Sequence, residues 1–403
     1  MKKFNYEAKT VGSKKTVKST VQAESEQAAA KLLMAQGFTP LSIVESTGGD
    51  SWWVRISERI TTKDKVVFTR QLSTLIAAGL PLSQSLNTLV DQTQNKRLRS
   101  IVQELIASVE GGHTLHESFA KHPEVFDKLF LSLVSAGEAS GTLDEALQRV
   151  ANQQEKDAAI TSKIRGAMTY PVIVLVVIFG VLAFMLLTVV PQVEKLYDDL
   201  NQTLPFITVI IVGLSQFFIN FWWLVVILLG IGIYLLAQYL RTENGIRTFD
   251  TLKISLPIFK GLFRRLYMAR FCRTGETLLN SGVSMLDMMQ IASEAVNNTI
   301  IAEEIDRAAD KVKGGKDLSA ALSVEEHISD LVSQMISIGE KSGRIDEMMG
   351  KTAKIYEEEL DEEINTLSTA IEPVLMVVLA IVAGGMVAAI LLPIYSLVNT
   401  MQL

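Results

Sequence analysis

The chain has 403 residues, of which 48% are apolar and only 20% are charged, with a formal net charge of −6. Soluble proteins carry about 25% charged residues, and the apolar surplus here lies in charge-free runs at residues 166–193, 201–240 and 373–403. Each run exceeds the roughly 20 residues that cross a bilayer, which excludes a purely soluble protein. The acidic balance argues against a nucleic-acid-binding protein, which needs basic residues to neutralise phosphates.

The first 46 residues predict a small α+β module. The predicted elements are strands at 4–8 and 17–23, a helix at 24–36 that Gly37 ends, and a strand at 41–45. After two lysines the start turns polar and has no apolar core of a signal peptide, so we expect the N-terminus in the cytoplasm. Residues 47–63 are expected to form a linker.

The rest of the chain contains an internal repeat at an offset of 202–203 residues. Glycines, prolines and apolar residues recur in one order, and a single one-residue gap reconciles the two offsets. The matched positions are Phe68 with Phe271, Leu75 with Leu278, Gly79 with Gly282, 111–112 with 314–315, 137–141 with 339–343, Pro171 with Pro373, and Pro191 with Pro393. We therefore predict two copies of one folding unit, at 64–171 and 237–373.

The repeated unit is predicted to be a helical bundle. Phe68, Leu72, Leu75 and Ile76 have the spacing of an amphipathic helix, and the glycines at 111–112 end a second one. Thr142 and Glu145 have the spacing of a capping box that would start the last helix. Because no helix breaker precedes Pro171, we expect that helix to continue into the first membrane span. The chain is thus predicted to be mainly α-helical.

The membrane spans are predicted at 172–190, 206–236 and 374–392. The loop at 191–205 is net acidic, whereas residues 241–273 carry eight basic side chains against two acidic ones. Because basic residues favour the cytoplasmic side, we expect both bundles in the cytoplasm and the tail at 393–403 outside. Two spans folded as a hairpin within the middle run would place the basic stretch outside, so we favour one long, tilted helix.

Residues suited to catalysis are few. The chain has no G-x-x-x-x-G-K-[ST] loop for nucleotide phosphates, and we predict neither a catalytic set nor a cofactor. His113, His116 and His122 could in principle bind a metal, but the second copy has no such histidines. The acidic run at 357–363 is either a solvated helix face or a surface for a basic partner or a divalent cation.

Three features are candidate functional sites. The repeated Gly-Glu-x-Ser-Gly motif predicts a turn in which the glycines supply backbone freedom, while its glutamates bond the turn or form a contact surface. Its principal residues are Gly137, Glu138 and Gly141, with Gly339, Glu340 and Gly343. Tyr170-Pro171 and Glu372-Pro373 begin the outer spans, and Glu372 is either an interfacial acid or a buried partner between helices. Small residues on the third span either favour close helix packing or reflect ordinary span composition; they are Ala380, Gly384, Gly385 and Ala388.

These features resemble the inner-membrane platform protein of type II secretion and type IV pilus assembly systems. The resemblance rests on the paired Gly-Glu-x-Ser-Gly motifs and on the Tyr-Pro and Glu-Pro pairs that begin spans one and three. It extends to Leu204-Pro205 before the second span, to Phe4-x-Tyr6-x-Ala8, and to Gly-Phe-Thr-Pro at 37–40. It covers essentially the whole chain.

The resemblance implies a non-enzymatic protein of the inner membrane that forms homo-oligomers. Its soluble domains would bind a hexameric cytoplasmic ATPase and pass its motion to pilin or pseudopilin subunits, beside other inner-membrane assembly proteins. Spans one and three would meet the pilin helices. The alternative is a transport permease or channel, against which the three charge-free spans argue, because ion pathways usually need an ionisable residue at depth.

Overall fold

In the computed structural model, the described residues are 2–10, 16–23, 38–45, 59–199, 206–257 and 259–401, with Ala28, Ala30 and Met34. Near the N-terminus, β1 (Lys2–Thr10), β2 (Thr16–Ala23) and β3 (Phe38–Glu45) form an antiparallel sheet in the order β2-β1-β3. Lys2 lies opposite Ala23 where β1 pairs with β2, and Phe4 lies opposite Glu45 where β1 pairs with β3. Most of the helix predicted at 24–36 and of the linker predicted at 47–63 falls outside the described residues.

The remainder of the described chain is helical, which confirms the prediction of a mainly α-helical protein. The helices are α1 (Thr62–Ala77), α2 (Leu82–Gln92), α3 (Lys96–Glu110), α4 (Leu115–Ala120), α5 (Lys128–Ser140), α6 (Leu143–Phe184), α7 (Val190–Asp199), α8 (Phe206–Tyr239), α9 (Glu243–Ser255), α10 (Lys260–Leu279), α11 (Met285–Val296), α12 (Thr299–Lys313), α13 (Leu318–Leu322), α14 (Asp330–Ser342) and α15 (Ile345–Met401). A π-helical turn at Met185–Val189 joins α6 to α7.

The structure repeats as the sequence does, since α1 to α6 recur as α10 to α15. Three glycines of the first copy have positive φ angles, and each has a counterpart with nearly the same angle in the second copy. These are Gly79 and Gly282 (81° and 78°), Gly112 and Gly315 (88° and 89°), and Gly141 and Gly343 (75° and 69°). Because side chains other than glycine's are strained there, the same three turns require glycine twice.

The packing of the first helix on the last is also common to both copies, but the cores differ in composition. The first helix of each copy packs against the last one, as α1 on α6 and α10 on α15. In the first copy the ring of Phe119 lies 4.4 Å from that of Phe126 and 4.7 Å from that of Phe130. The positions matched to Phe119 and Phe130 hold the buried Leu322 and Val332 in the second copy. One backbone plan thus accommodates a cluster of phenylalanine rings in the first copy and aliphatic side chains at the matched positions of the second.

In the part of the chain that the structure describes, three helical segments are long and apolar enough to cross a membrane, as predicted. Helices α6 and α15 continue through Pro171 and Pro373 into the first and third of them, so each repeat and its span share one helix. The middle run forms α8 alone, with a kink at Phe221, where φ is −118° and ψ is 19°. Two helical segments joined at this kink thus make up α8, and among the described residues they provide one candidate span.

The capping box predicted at Thr142 and Glu145 is wrong. Thr142 makes no side-chain cap, and its φ of −111° and ψ of 45° differ from the extended conformation that an N-cap residue needs. The preceding left-handed Gly141 imposes this geometry, and the Thr142 hydroxyl instead lies 2.7 Å from that of Ser140. A complete capping box starts α4, where Thr114 Oγ1 accepts from the Glu117 amide at 3.1 Å and Glu117 accepts from the Thr114 amide at 3.2 Å.

Candidate functional site

The first glycine of each Gly-Glu-x-Ser-Gly motif stands where two helices nearly touch. A Cβ at Gly137 would lie 2.4 Å from Cβ of Ala146, and one at Gly339 would lie 2.7 Å from Cα of Ile345. Both distances are shorter than a van der Waals contact. Glycine therefore lets α5 approach α6, and α14 approach α15, at a distance that no other residue allows without displacement of the backbone.

The glutamate of each motif caps a different helix from its own. Glu138 Oε1 accepts from the Leu115 amide at 2.5 Å, and Oε2 accepts from the His116 amide at 3.0 Å, at the start of α4. Glu340 likewise accepts from the Ser319 amide at 3.1 Å and from the Ser319 hydroxyl, at the start of α13. Carboxylates are favourable at helix N-termini because free N–H groups and the helix dipole meet there. The glutamates thus tie a short helix to the helix that follows it.

The last two residues of the motif end the helix. The Ser140 hydroxyl donates to the Ala136 carbonyl at 2.8 Å, and the Ser342 hydroxyl donates to the Ile338 carbonyl at the same distance. After the left-handed glycine, the Thr142 amide donates to the Gly137 carbonyl at 2.9 Å, which satisfies a helix-end acceptor. Each motif therefore joins three helices of its bundle, and its carboxylate is engaged within the chain.

The two copies meet along a polar interface. Lys128 Nζ lies 2.5 Å from Glu294, Lys163 Nζ lies 2.6 Å from Asp361, and Arg149 donates to the Ser281 hydroxyl at 3.0 Å. Between them lies a cleft of about 610 Å³, whose lining includes Arg149, Lys156, Arg273, Glu276 and Asn280. Charged and polar side chains thus form part of the interface between the two copies.

The acidic run at 357–363 largely faces basic residues of the same chain. Arg273 donates to both oxygens of Glu357, at 2.7 and 2.8 Å, and Arg265 contacts Glu359 and Glu363, each at 2.9 Å. Within the described residues, the run is therefore neither a uniformly solvated face nor an open carboxylate cluster. Nowhere in the described residues does a group of three or more His, Cys, Asp or Glu side chains have a geometry that could hold a metal ion.

One matched pair of side chains has its acidic and basic residues exchanged between the copies. Glu104 Oε2 lies 3.3 Å from His122 Nε2 in the first copy. At the equivalent positions of the second copy, Arg307 lies 2.7 Å from Glu325, so that the acid and the base have changed places. This exchanged pair joins the third helix of each copy to the loop after its short fourth helix.

Comparison with known proteins decides the family. The profile of type II secretion system (T2SS), protein F, matches residues 68–191 and again 271–393, the two copies of the repeat, and the profile of the protein's N-terminal domain matches residues 1–44. The chain belongs to the type II secretion system protein F family. Within this family, the duplicated bundle is thus two protein F domains in tandem.

Curated relatives in the family come from both pilus and secretion systems. The type IV pilus assembly protein PilC of Thermus thermophilus is 37% identical over 391 residues, which cover 96% of each chain. PilC of Pseudomonas aeruginosa is 35% identical over 368 residues, 91% of this chain and 98% of its own. The type II secretion system protein F of Vibrio cholerae is 31% identical over 391 residues, again 96% of each chain.

The other predicted site residues of this family member lie apart from the motifs. Tyr170 is exposed, and Glu372 is exposed rather than buried between helices of this chain. Pro171 is buried, whereas Pro373 is exposed. The small residues of the third span are exposed as well; they are Ala380, Gly384, Gly385 and Ala388.

The three clustered histidines contact three different partners rather than one another. His113 lies 3.4 Å from Glu117, His116 Nδ1 lies 3.0 Å from the Leu131 carbonyl, and His122 contacts Glu104. The sequence analysis missed the polar interface between the copies.

Asp157 of α6 provides a test of this polar interface. Burial raises the pKa of its carboxyl, and Arg270 together with the Gln153 amide, 3.5 Å away, offsets this effect only in part. Because the folded-state pKa lies above the unfolded value of about 3.9, ionisation of Asp157 lowers the stability of the fold as the pH rises from the unfolded pKa through the folded one. We expect Asp157→Asn to raise the thermal unfolding midpoint at pH 7.5, with a smaller gain at pH 5.

The matched control is Asp306→Asn, which removes a negative charge from an exposed position. Its midpoint should follow that of the parent protein at both pH values. A midpoint for Asp157→Asn at or below that of the parent at pH 7.5 would contradict the destabilising role of the buried carboxylate.

Proposed function

We propose that this chain is a non-enzymatic inner-membrane platform, which couples a cytoplasmic assembly ATPase to pilin or pseudopilin polymerisation in type IV pilus biogenesis or type II secretion. The observation that carries the proposal is that each protein F domain ends in a helix that is also a membrane span. Helix α6 has 42 residues and α15 has 57. At 1.5 Å per residue they extend about 63 and 86 Å, so a displacement of either bundle is transmitted directly into the bilayer.

The arrangement supports movement of one domain against the other. Exposed ion pairs such as Lys128–Glu294 and Lys163–Asp361 contribute only about 0–1 kcal/mol each. An interface built from such pairs can change register at low cost, whereas an interdigitated apolar core cannot. ATPase-driven displacement of one bundle would therefore alter the relation between spans one and three, where the pilin helices would be met.

The remaining elements of the proposal concern domains and topology. Residues 1–46 form an α+β module, the protein F domains occupy 64–171 and 237–373, and both lie in the cytoplasm with the tail at 393–403 outside. The second span, at 206–236, crosses the membrane back to the cytoplasm, so that both protein F domains lie on the same side of the membrane. The sheet β2-β1-β3 and the basic residues at 241–273 support this assignment. Homo-oligomers would form through the exposed small residues of the third span.

The proposal is tested by co-purification of the full chain with the hexameric assembly ATPase of the same organism, in detergent, with ATP, with ADP and without nucleotide. We expect the ATPase to be retained and its retention to depend on the nucleotide. An unrelated three-span membrane protein, tagged in the same way, is the control. Equal background retention by both proteins under all three conditions would overturn the proposed coupling.

A further inference from the structure

The two protein F domains meet through different helices. In the first domain, α5 packs against α10 and α11 of the second, and α6 packs against α10 and α15. The matched contact in the opposite sense would place α14 on α1 and α2, and among the described residues these helices do not pack in that way. An interface built from two different surfaces is heterologous, and it leaves one matched surface of each unit without a partner.

The first of these surfaces, the α14–α15 face, corresponds to the covered face of α5 and α6. At the repeat offset Ile338 matches Ala136, and Ile355 matches Gln153. Ala136 and Gln153 line clefts between the two domains. Gln153 is only 5% exposed, whereas Ile355 is 37% and Ile338 is 53% exposed. The second domain thus carries exposed isoleucines at two positions that belong to the interface in the first domain.

The second surface, the α1–α2 face, corresponds to the covered face of α10 and α11. Val67 matches Arg270, which is close enough to Asp157 of α6 to act on the charge of its carboxyl. Ala77 matches Asn280, a lining residue of the larger cleft. Val67 is 44% exposed, and Ala77 is exposed as well. Both unoccupied faces are therefore more apolar than the covered ones at these matched positions, which is typical of an interaction surface.

We infer that the α14–α15 face of one chain binds the α1–α2 face of a second copy, head to tail. The repeat itself specifies this occupant, because α1 and α2 are the matched counterparts of α10 and α11, which occupy the same place on the first domain. Each domain ends in a helix that is also a span, so every copy presents these faces in the same relation to the bilayer. The contact depends neither on the proposed coupling to an ATPase nor on the small residues of the third span.

One pair of charges opposes this contact and gives it a signature. Within the chain Lys128 pairs with Glu294, but the matched residues are Asp330 and Asp91, so that two carboxylates would face each other. Burial of apolar side chains contributes more free energy than one exposed charge pair, so association remains favourable. Because salt screens the repulsion, we expect association to strengthen as the salt concentration rises, the opposite of an interface held by ion pairs.

A second matched ion pair is also replaced by two acids. Lys156 lies 3.7 Å from Glu357 within the chain, and the matched residues are Glu358 and Glu155. Glu155 already accepts from Arg70 of its own domain at 2.5 Å. Its charge is therefore largely compensated, and this pair adds little repulsion.

The test uses two populations of the full chain with different tags, mixed and reconstituted into one set of lipid vesicles. One population carries Asp330→Cys and the other carries Asp91→Cys, while the native Cys272 is buried and stays in place. Mild oxidation then joins the two populations only where α14 of one chain meets α2 of another. In the control, Asp306→Cys replaces Asp330→Cys, since Asp306 is exposed on α12, outside both faces.

We expect crosslinking between positions 330 and 91 at about fivefold or more above the Asp306→Cys control. Ile338→Gln together with Ile355→Gln should lower it by a similar factor, because both side chains lose apolar contact. Val324→Gln removes an equally apolar side chain, 67% exposed in the turn after α13, and should leave the crosslinking unchanged.

A separate measurement tests the charges, by energy transfer between labelled chains that carry no added cysteine at these faces. Asp330→Lys introduces the charge of the matched Lys128 and should increase association at low salt by about fivefold or more, because it removes a repulsion and adds an attraction. The parent chain should approach the same association at high salt.

Crosslinking at the level of the Asp306→Cys control, or undiminished in the double glutamine variant, would overturn the inference. Crosslinks that join position 330 only to itself would do the same, because they indicate a symmetric contact. So would unchanged association of Asp330→Lys, or a photoreactive amino acid at Ile355 that captures a different protein in cells and not a second copy of this chain.

Discussion

Gly339→Ala is expected to destabilise the second protein F domain by about 2 kcal/mol or more. The added Cβ would stand 2.7 Å from Cα of Ile345 and 3.1 Å from its amide nitrogen. Because both atoms belong to the backbone, no side-chain rotation relieves the overlap, and overpacking of this kind costs about 1–3 kcal/mol or more. Thermal unfolding of the detergent-solubilised protein should show a midpoint several degrees lower.

The control for this substitution is Gly166→Ala, also within a helix, where a Cβ would meet nothing within 4 Å. Alanine is favoured over glycine in helices by about 1 kcal/mol, so this variant should match or exceed the stability of the parent protein. Gly339→Ala gains the same helical preference, and a net loss would therefore isolate the effect of close approach. Equal midpoints for the two variants would refute the packing role of the motif glycine.

Replacement of the motif glutamates by glutamine should affect the two copies unequally. In the first copy both oxygens of Glu138 accept from backbone amides, which cannot reverse, so the NH₂ group of a glutamine would face an N–H donor. In the second copy one donor to Glu340 is the Ser319 hydroxyl, which can rotate and accept instead. Since a buried donor without an acceptor costs about 1–3 kcal/mol, we expect a loss of about 2–3 kcal/mol for Glu138→Gln and at most about 1 kcal/mol for Glu340→Gln.

Each of these variants serves as the control for the other, because both remove one negative charge from the same place in the repeat. Chemical denaturation of the two purified proteins measures the difference. A second comparison, in which Glu340→Gln is made together with Ser319→Ala, tests the reason for the inequality. Without the hydroxyl, Glu340→Gln should lower the free energy of unfolding by more than about 1 kcal/mol. If Glu340→Gln proved as harmful as Glu138→Gln, hydroxyl rotation would not be the explanation.

Much of the fold is predictable from the sequence because its determinants are local. The positive φ angles at Gly79, Gly112 and Gly141 depend on the residue at the turn itself, and the long apolar runs identify the spans by length alone. The offset between the copies could be found from those same glycines and prolines. Such features do not depend on which helix lies nearby.

The functions of Glu138 and Glu340 could not be found in this way. Their partners lie 21–23 residues earlier in the chain and meet them only after the bundle forms. The incorrect prediction of a capping box at Thr142 has a local cause. The spacing of Thr142 and Glu145 fits a capping box, but the left-handed glycine before it determines the backbone of Thr142, and the side-chain pattern does not reveal this.

The exchanged acid and base at Glu104–His122 and Arg307–Glu325 bear on how a duplicated chain avoids assembling from the wrong halves. If α3 docked in the second bundle in place of α12, the carboxylate of Glu104 would face that of Glu325. In the reciprocal hybrid, Arg307 would lie beside His122 without an acid between them. Repulsion between two carboxylates in the first hybrid, and the loss of the Arg307–Glu325 ion pair in the second, therefore penalise shuffled bundles, even where the apolar stripes of the two helices are alike. The ionic pairs that differ between the two copies thus favour the correct assembly of each bundle.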